Sequence, residues 1–264
     1  AGEEQHLVQQ VMKELQLPAD EEEVAYRGYR RWVHRFAPLP TPAEPAPVPL
    51  RVQGVYLFTG DLTPASQVLA AYLARTVQAC LIFLTSPGAN PDGRQALVEQ
   101  LKEAGATIAF YEAEVGNAAE LGAVIAAVRD RFGALHGVLH TAGAMSSTAF
   151  TTVQETDEAS LAQHFNPKVD GARALQEALG ALPLDFCLFH SSLASLLGGI
   201  RFLGQAAADL YLDSAAQLLA RERPGRWLSV NWDAWALPGQ QAPGQSALAI
   251  TVDEAPDVFV RLLT

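Results

Sequence analysis

The chain has 264 residues, 49% of them hydrophobic and 18% charged, enough for one large domain or two small ones and too apolar for a disordered chain. Its 18 Lys and Arg against 29 Asp and Glu leave a net charge of −11, which opposes binding to nucleic acid and to anionic membrane surfaces. No apolar run reaches the roughly 20 residues of a membrane span, and the opening Ala1-Gly-Glu-Glu-Gln has no signal-peptide character. Cys80 and Cys187 each sit inside an apolar run and read as buried core thiols of a reducing compartment. A cytoplasmic globular protein without a metal site is expected.

The first fifty residues form an N-terminal segment distinct from the remainder, 51–264. Leu7, Val8, Val11, Met12, Leu15 and Leu17 recur at helical spacing, and the stretch from Pro18 to Glu23 ends that helix. Val24 to Phe36, rich in aromatic and β-branched residues, reads as one or two short strands. A proline-rich linker follows from Pro38, extended and semi-rigid. A helix and a strand pair cannot enclose a core, so this segment must pack on another part of a protein.

From residue 54 short apolar runs alternate with amphipathic stretches. The strand candidates begin at Val55, Cys80, Thr107, Gly137, Asp185 and Trp227. Between them a helix starts near Asp92 and stops at Gly105, and another starts with a capping box at Asn117–Glu120 and stops at Gly133. Apolar strands separated by helices imply an α/β fold: a doubly wound, mostly parallel, Rossmann-type sheet covered on both faces.

In such a fold the first strand-to-helix turn cradles a pyrophosphate, using glycines for close backbone approach and a helix N-terminus for charge. Here that turn is Thr59-Gly60-Asp61-Leu62-Thr63-Pro64-Ala65-Ser66. Only Gly60 is glycine. Thr63 has the character of an N-cap and Pro64 of a first helical residue, while Asp61 adds negative charge. The turn reads as one that caps a helix rather than one that binds a nucleotide.

The run from Glu23 to Val33, then Gly54 to Gly60, His136 to Gly143, Pro167 to Gly171, His190 to Gly199, Tyr211 to Ala215 and Val230 to Trp235 resembles the ketoreductase domain of a modular polyketide synthase. The resemblance implies the short-chain dehydrogenase/reductase fold. It places Asp61, Thr63 and Ser66 where working members have glycines, and Pro87 where they have the arginine that holds the NADPH 2′-phosphate. Glu114 falls nearest the acidic residue that meets the adenine. NADPH binding is therefore expected to be lost.

The resemblance also implies catalytic positions. Lys168 matches the family lysine, Ser192 the carbonyl-binding serine, Gln205 the tyrosine and Asp209 the asparagine. A glutamine has no ionisable proton and cannot protonate an alkoxide. Lys168 itself, following a proline, reads as a surface lysine left over from ancestry. Tyr211 lies six residues past Gln205, on another helical face, and reads as a core aromatic. His140 and His190, expected to end strands at the ligand edge of the sheet, are read as packing residues, with an acid role as the alternative. Trp232 and Trp235 read as core and lid. Ala144 to Thr148 replaces the Leu-Asp-Asp of one stereochemical class, so no stereochemistry follows.

The expectation is a pseudo-ketoreductase, catalytically inactive, with a structural role beside neighbouring domains of its synthase, such as a methyltransferase, a dehydratase or an acyl carrier protein. The N-terminal segment resembles the closing piece of the family's structural subdomain. Two alternatives are an epimerase acting on a carrier-bound α-methyl-β-ketoacyl chain and a working NADPH-dependent β-ketoacyl reductase.

Overall fold

The computed structural model describes residues 2–18, 24–38, 48–60, 62–88, 94–143, 147–236 and 249–264. Asp61, the expected helix start at Asp92 and the stretch 144–146 lie outside them. The chain divides into two compact units, Ala1–Glu44 and Pro45–Thr264. The division falls six residues before the compositional boundary, and Val48 and Leu50 pack against the core of the second unit.

The first unit holds helix α1 (Gly2–Glu14) and an antiparallel hairpin of β1 (Val24–Arg27) and β2 (Arg30–Val33). Gly28, at φ +59°, makes the turn. Polar contacts tie α1 to the hairpin: the Glu14 carboxylate accepts from Tyr26 Oη at 2.7 Å and from Arg31 at 2.8 and 2.5 Å. The apolar residues of α1, Leu7, Val8, Val11 and Met12, are exposed.

The second unit alternates strand and helix. Its elements are β3 (Val55–Thr59), α2 (Pro64–Val77), β4 (Cys80–Thr85), α3 (Gln95–Glu103), β5 (Thr107–Glu112), α4 (Ala118–Phe132) and β6 (Gly137–His140). Then come α5 (Glu158–Phe165), a π turn (Asn166–Asp170), α6 (Gly171–Leu179), β7 (Phe186–Ser192), α7 (Ala194–Leu197), α8 (Leu203–Glu222) and β8 (Arg226–Trp232). The short parallel pair β9 (Trp235–Ala236) and β10 (Ile250–Thr251) precedes α9 (Glu254–Leu263).

The central sheet has six parallel strands in the order β5-β4-β3-β6-β7-β8. Side-chain alternation on a strand sends neighbours to opposite faces. Val55 and Leu57 accordingly join Val124, Leu175 and Leu212 in one core layer. Tyr56 and Phe58 join Leu69, Leu73, Phe83 and Phe259 in the other. Each fully buried side chain of this size contributes about 1.5–3 kcal/mol. Cys187 is buried, but Cys80 is only half-buried, because it is the first residue of β4, at the amino-terminal end of the strands.

The capping expectation needs one correction. Asn117 caps α4, accepting from the amides of Ala119 and Glu120. Glu120 does not reach back to the Asn117 amide; its carboxylate accepts from the Glu114 amide at 2.8 Å and from Asn117 Nδ2 at 2.7 Å, since the Asn117 amide is already bonded to the Glu114 carbonyl.

Candidate active site: a narrow crevice and a buried polar cluster

Strand order reverses between β3 and β6, and in open α/β sheets ligands bind at such a switch point, beyond the carboxyl ends of the strands. Here Gly60 leaves β3 at φ +109°, and a Cβ built on it would lie 2.5 Å from both the amide nitrogen and the Cα of Ala142. Turn and strand end are in contact. Gly60, Leu84, Thr85, Ser86, Ala113, Val115, Ala142, Gly143 and Pro167 enclose only about 50 Å³, against about 300–1,000 Å³ for ordinary ligand pockets.

The start of α2 is closed from within. Thr63 Oγ1 accepts from the Ser66 amide at 3.2 Å, and the buried Ser66 hydroxyl donates to the Thr63 carbonyl at 2.8 Å. Pro64 has no amide hydrogen to offer. Pro87, just past β4, is exposed, as is Glu114. Glu114 lines an open cleft of about 670 Å³ with Asn117, Asn166, Asp170 and Arg173, which adjoins the small pocket and shares Ser86, Val115 and Pro167 with it.

The four expected catalytic positions do converge. Lys168 forms an ion pair through Nζ with Asp209 Oδ1. The other Asp209 oxygen accepts from Ser192 Oγ at 2.6 Å. Ser192 Oγ in turn accepts from Gln205 Nε2 at 2.8 Å and from the Ala194 amide at 3.2 Å. A hydroxyl has one donor and two acceptor positions, so Ser192 is saturated.

The surface reading of Lys168 is wrong. The lysine is 6% exposed and Asp209 is 0% exposed. The π turn that carries Lys168 accounts for this placement: Pro167 lacks an amide hydrogen and its ring crowds the preceding turn, and the widened turn absorbs it and sends Lys168 inward.

The histidines differ from expectation in position. His140 ends β6, but His190 lies two residues inside β7. His140 Nδ1 meets Thr59 Oγ1 at 2.7 Å. Burial, with the Lys168 charge added, holds His140 down at about 4 and His190 at about 3, so both are neutral near pH 7 and neither offers an imidazolium proton. Trp232 is buried and stacks beside His190 at 5.5 Å, with Trp235 half-buried 5.1 Å from Trp232. Tyr211 packs against the core, as its helical position implies.

One residue was missed as functional. Asp213, one turn after Asp209, accepts from Ser195 Oγ at 2.9 Å, Ser229 Oγ at 2.5 Å and Asn231 Nδ2 at 2.8 Å. It ties α8 to the turn after Ser192 and to β8. The i, i+4 spacing of two aspartates in the apolar first half of α8 was the available signal. Among the described residues no group of three or more His, Cys, Asp or Glu could hold a metal ion, and no helix is long and apolar enough to cross a membrane.

A six-stranded parallel sheet with helices on both faces and a Lys–Ser cluster beyond its carboxyl edge defines a Rossmann-type protein of the short-chain dehydrogenase/reductase class. The KR domain model matches residues 54–237, and the chain belongs to that family, the ketoreductase domains of modular polyketide synthases. Similar proteins include polyketide synthase PksN of Bacillus subtilis, 29% identical over 223 residues, 83% of this chain and 4% of that synthase. Erythronolide synthase EryA3 of Saccharopolyspora erythraea is 32% identical over 229 residues, 86% of this chain and 7% of its own length. A solved structure of A-type ketoreductases from a modular polyketide synthase matches with TM-score 0.77 at 25% identity, over 93% of this chain and 52% of its own. The chain thus spans less than a tenth of these synthases.

Proposed function

We propose that this chain is a ketoreductase-type domain that performs no reduction and serves its synthase as a structural element. One observation carries the reading: the pocket at the switch point, beside Gly60 and Ala142, holds only about 50 Å³. The residues do not fit the NADPH that the family implies. Thr63 and Ser66 bond each other where a phosphate would need free amides, and Pro87 offers no cation. Gln205 in the tyrosine position adds the loss of a proton source.

Exposed apolar residues support the structural role. Leu197, which ends α7, is 78% exposed and Ile200, in the loop before α8, is 86% exposed, and exposed apolar patches mark protein contacts. The partners that fit are neighbouring domains of the same synthase. The epimerase alternative asks Lys168 to act as a base, yet it is held as the ammonium partner of Asp209.

Titration of the purified chain with NADPH, followed by calorimetry and by cofactor fluorescence, tests the reading. No saturable binding is expected up to millimolar cofactor. A micromolar dissociation constant overturns it.

A further inference from the structure

Asp209 serves two groups at once. Its Oδ1 meets the Lys168 ammonium and its Oδ2 accepts the hydroxyl proton of Ser192. The charged and titratable groups around the pair come from four elements. Asp209 on α8 is the anion; His140 on β6, His190 on β7 and His164 on α5 are imidazoles held below their usual range by burial and by the Lys168 charge. Gly143 completes the wall, a Cβ built on it reaching 3.4 Å from Lys168 Cε.

A carboxylate accepts at both oxygens and donates at neither. An amide of the same shape accepts at one end and donates at the other. With asparagine at this position the oxygen would serve Lys168 while the amide hydrogens faced Ser192 Oγ, and the serine would have to turn its own proton outward. With aspartate that proton stays buried in the cluster.

We infer that Asp209 is a locking residue, holding the Lys168 ammonium with one oxygen and the only proton of Ser192 with the other, so that both groups are withdrawn from any carbonyl placed before β7. This rests on the reading of an inert site but acts independently of the cofactor crevice and of residue 205. Asp209 is a positioning residue. Asp213, Ser195 and Asn231 fix the turn behind it: Asn231 Nδ2 lies 3.3 Å from the Ser192 carbonyl and 2.7 Å from Ser195 Oγ.

A thiol in place of Ser192 reads the lock through charge. Alkylation proceeds through the thiolate, which the Asp209 carboxylate opposes and the Lys168 ammonium favours. The experiment alkylates S192C, S192C/D209N, S192C/D209E and S192C/K168M in the full chain with iodoacetamide, quantified by peptide mass spectrometry. Buried Cys187, whose thiol is pushed well up by burial, reports any unfolding in the same sample.

S192C/D209N is expected to react about tenfold faster than S192C, following the gain in thiolate. S192C/D209E should stay slow, and S192C/K168M should be slower still. Equal rates in S192C and S192C/D209N, within about twofold, overturn the lock. If Cys187 alkylation shows that S192C/D209N has unfolded, S192C/K168M decides, and a rate unchanged from S192C overturns the proposal. NADPH binding by the native chain would defeat the functional reading and leave this test standing; equal alkylation rates would do the reverse.

Discussion

Gly60 and Ala142 meet so closely that a methyl group on Gly60 would fall 2.5 Å from the Ala142 backbone. They flank the switch point, one after β3 and one after β6, and meet because those strands are neighbours in the sheet. Gly60 also holds φ +109°, a conformation that a side chain strains. Gly60→Ala should therefore destabilise the fold by about 1–3 kcal/mol from backbone strain alone. Urea denaturation measures this; a loss below about 0.5 kcal/mol, the range of neutral surface changes, would mean that the turn gives way freely.

Restoring the tyrosine should not restore reduction. Gln205 Nε2 already reaches Ser192 at 2.8 Å, so a phenol would enter the cluster, but Thr63 and Ser66 would still bond each other where the cofactor phosphates need free amides. NADPH consumption by Gln205→Tyr with a β-ketoacyl thioester is expected at the blank rate. Turnover above blank in this single variant would show that cofactor can enter.

Epimerisation can be followed without any cofactor. A proton-transfer group contributes typically about 10²–10⁴-fold, and this cluster has an amide for its acid and an ion-paired lysine for its base. A carrier-bound 2-methyl-3-ketoacyl chain deuterated at the α-carbon should lose its label no faster with the protein than without it. Washout that disappears in Ser192→Ala would establish the epimerase.

Acid should weaken the fold well before its carboxylates titrate. An unfolded imidazole titrates near 6.5, whereas His140 and His190 are held at about 4 and about 3 by burial first and by Lys168 second. As the pH falls below about 6.5 the unfolded chain takes up protons that the folded chain refuses, so stability is lost on acidification and is full above that value. Each histidine adds a slope of at most about 1.4 kcal/mol per pH unit. Urea midpoints between pH 7.5 and 5 measure it, and His190→Phe should lessen the slope. A flat profile in the native chain would contradict the burial of both rings.

The sequence by itself determined most of what depends on neighbours along the chain. The strand candidates beginning at Val55, Cys80, Thr107, Gly137, Asp185 and Trp227 fall on the six sheet strands, within one residue of each start; Thr63 and Asn117 sit as helix caps; and a glutamine in place of a tyrosine is legible without any coordinates. The tertiary structure alone decided which distant residues meet. Lys168 and Asp209 are 41 positions apart, and nothing local distinguishes a lysine after a proline on the surface from one that a π turn sends inward. The local reading failed at Glu120, which satisfies the Glu114 amide rather than that of Asn117 because the preceding turn had already used the latter. Gly60 and Ala142 touch only because β3 and β6 are adjacent in the sheet. Local periodicity fixes elements, since each depends on a few consecutive residues; charge pairing and close approach depend on strand order, which brings together groups that no window of sequence contains.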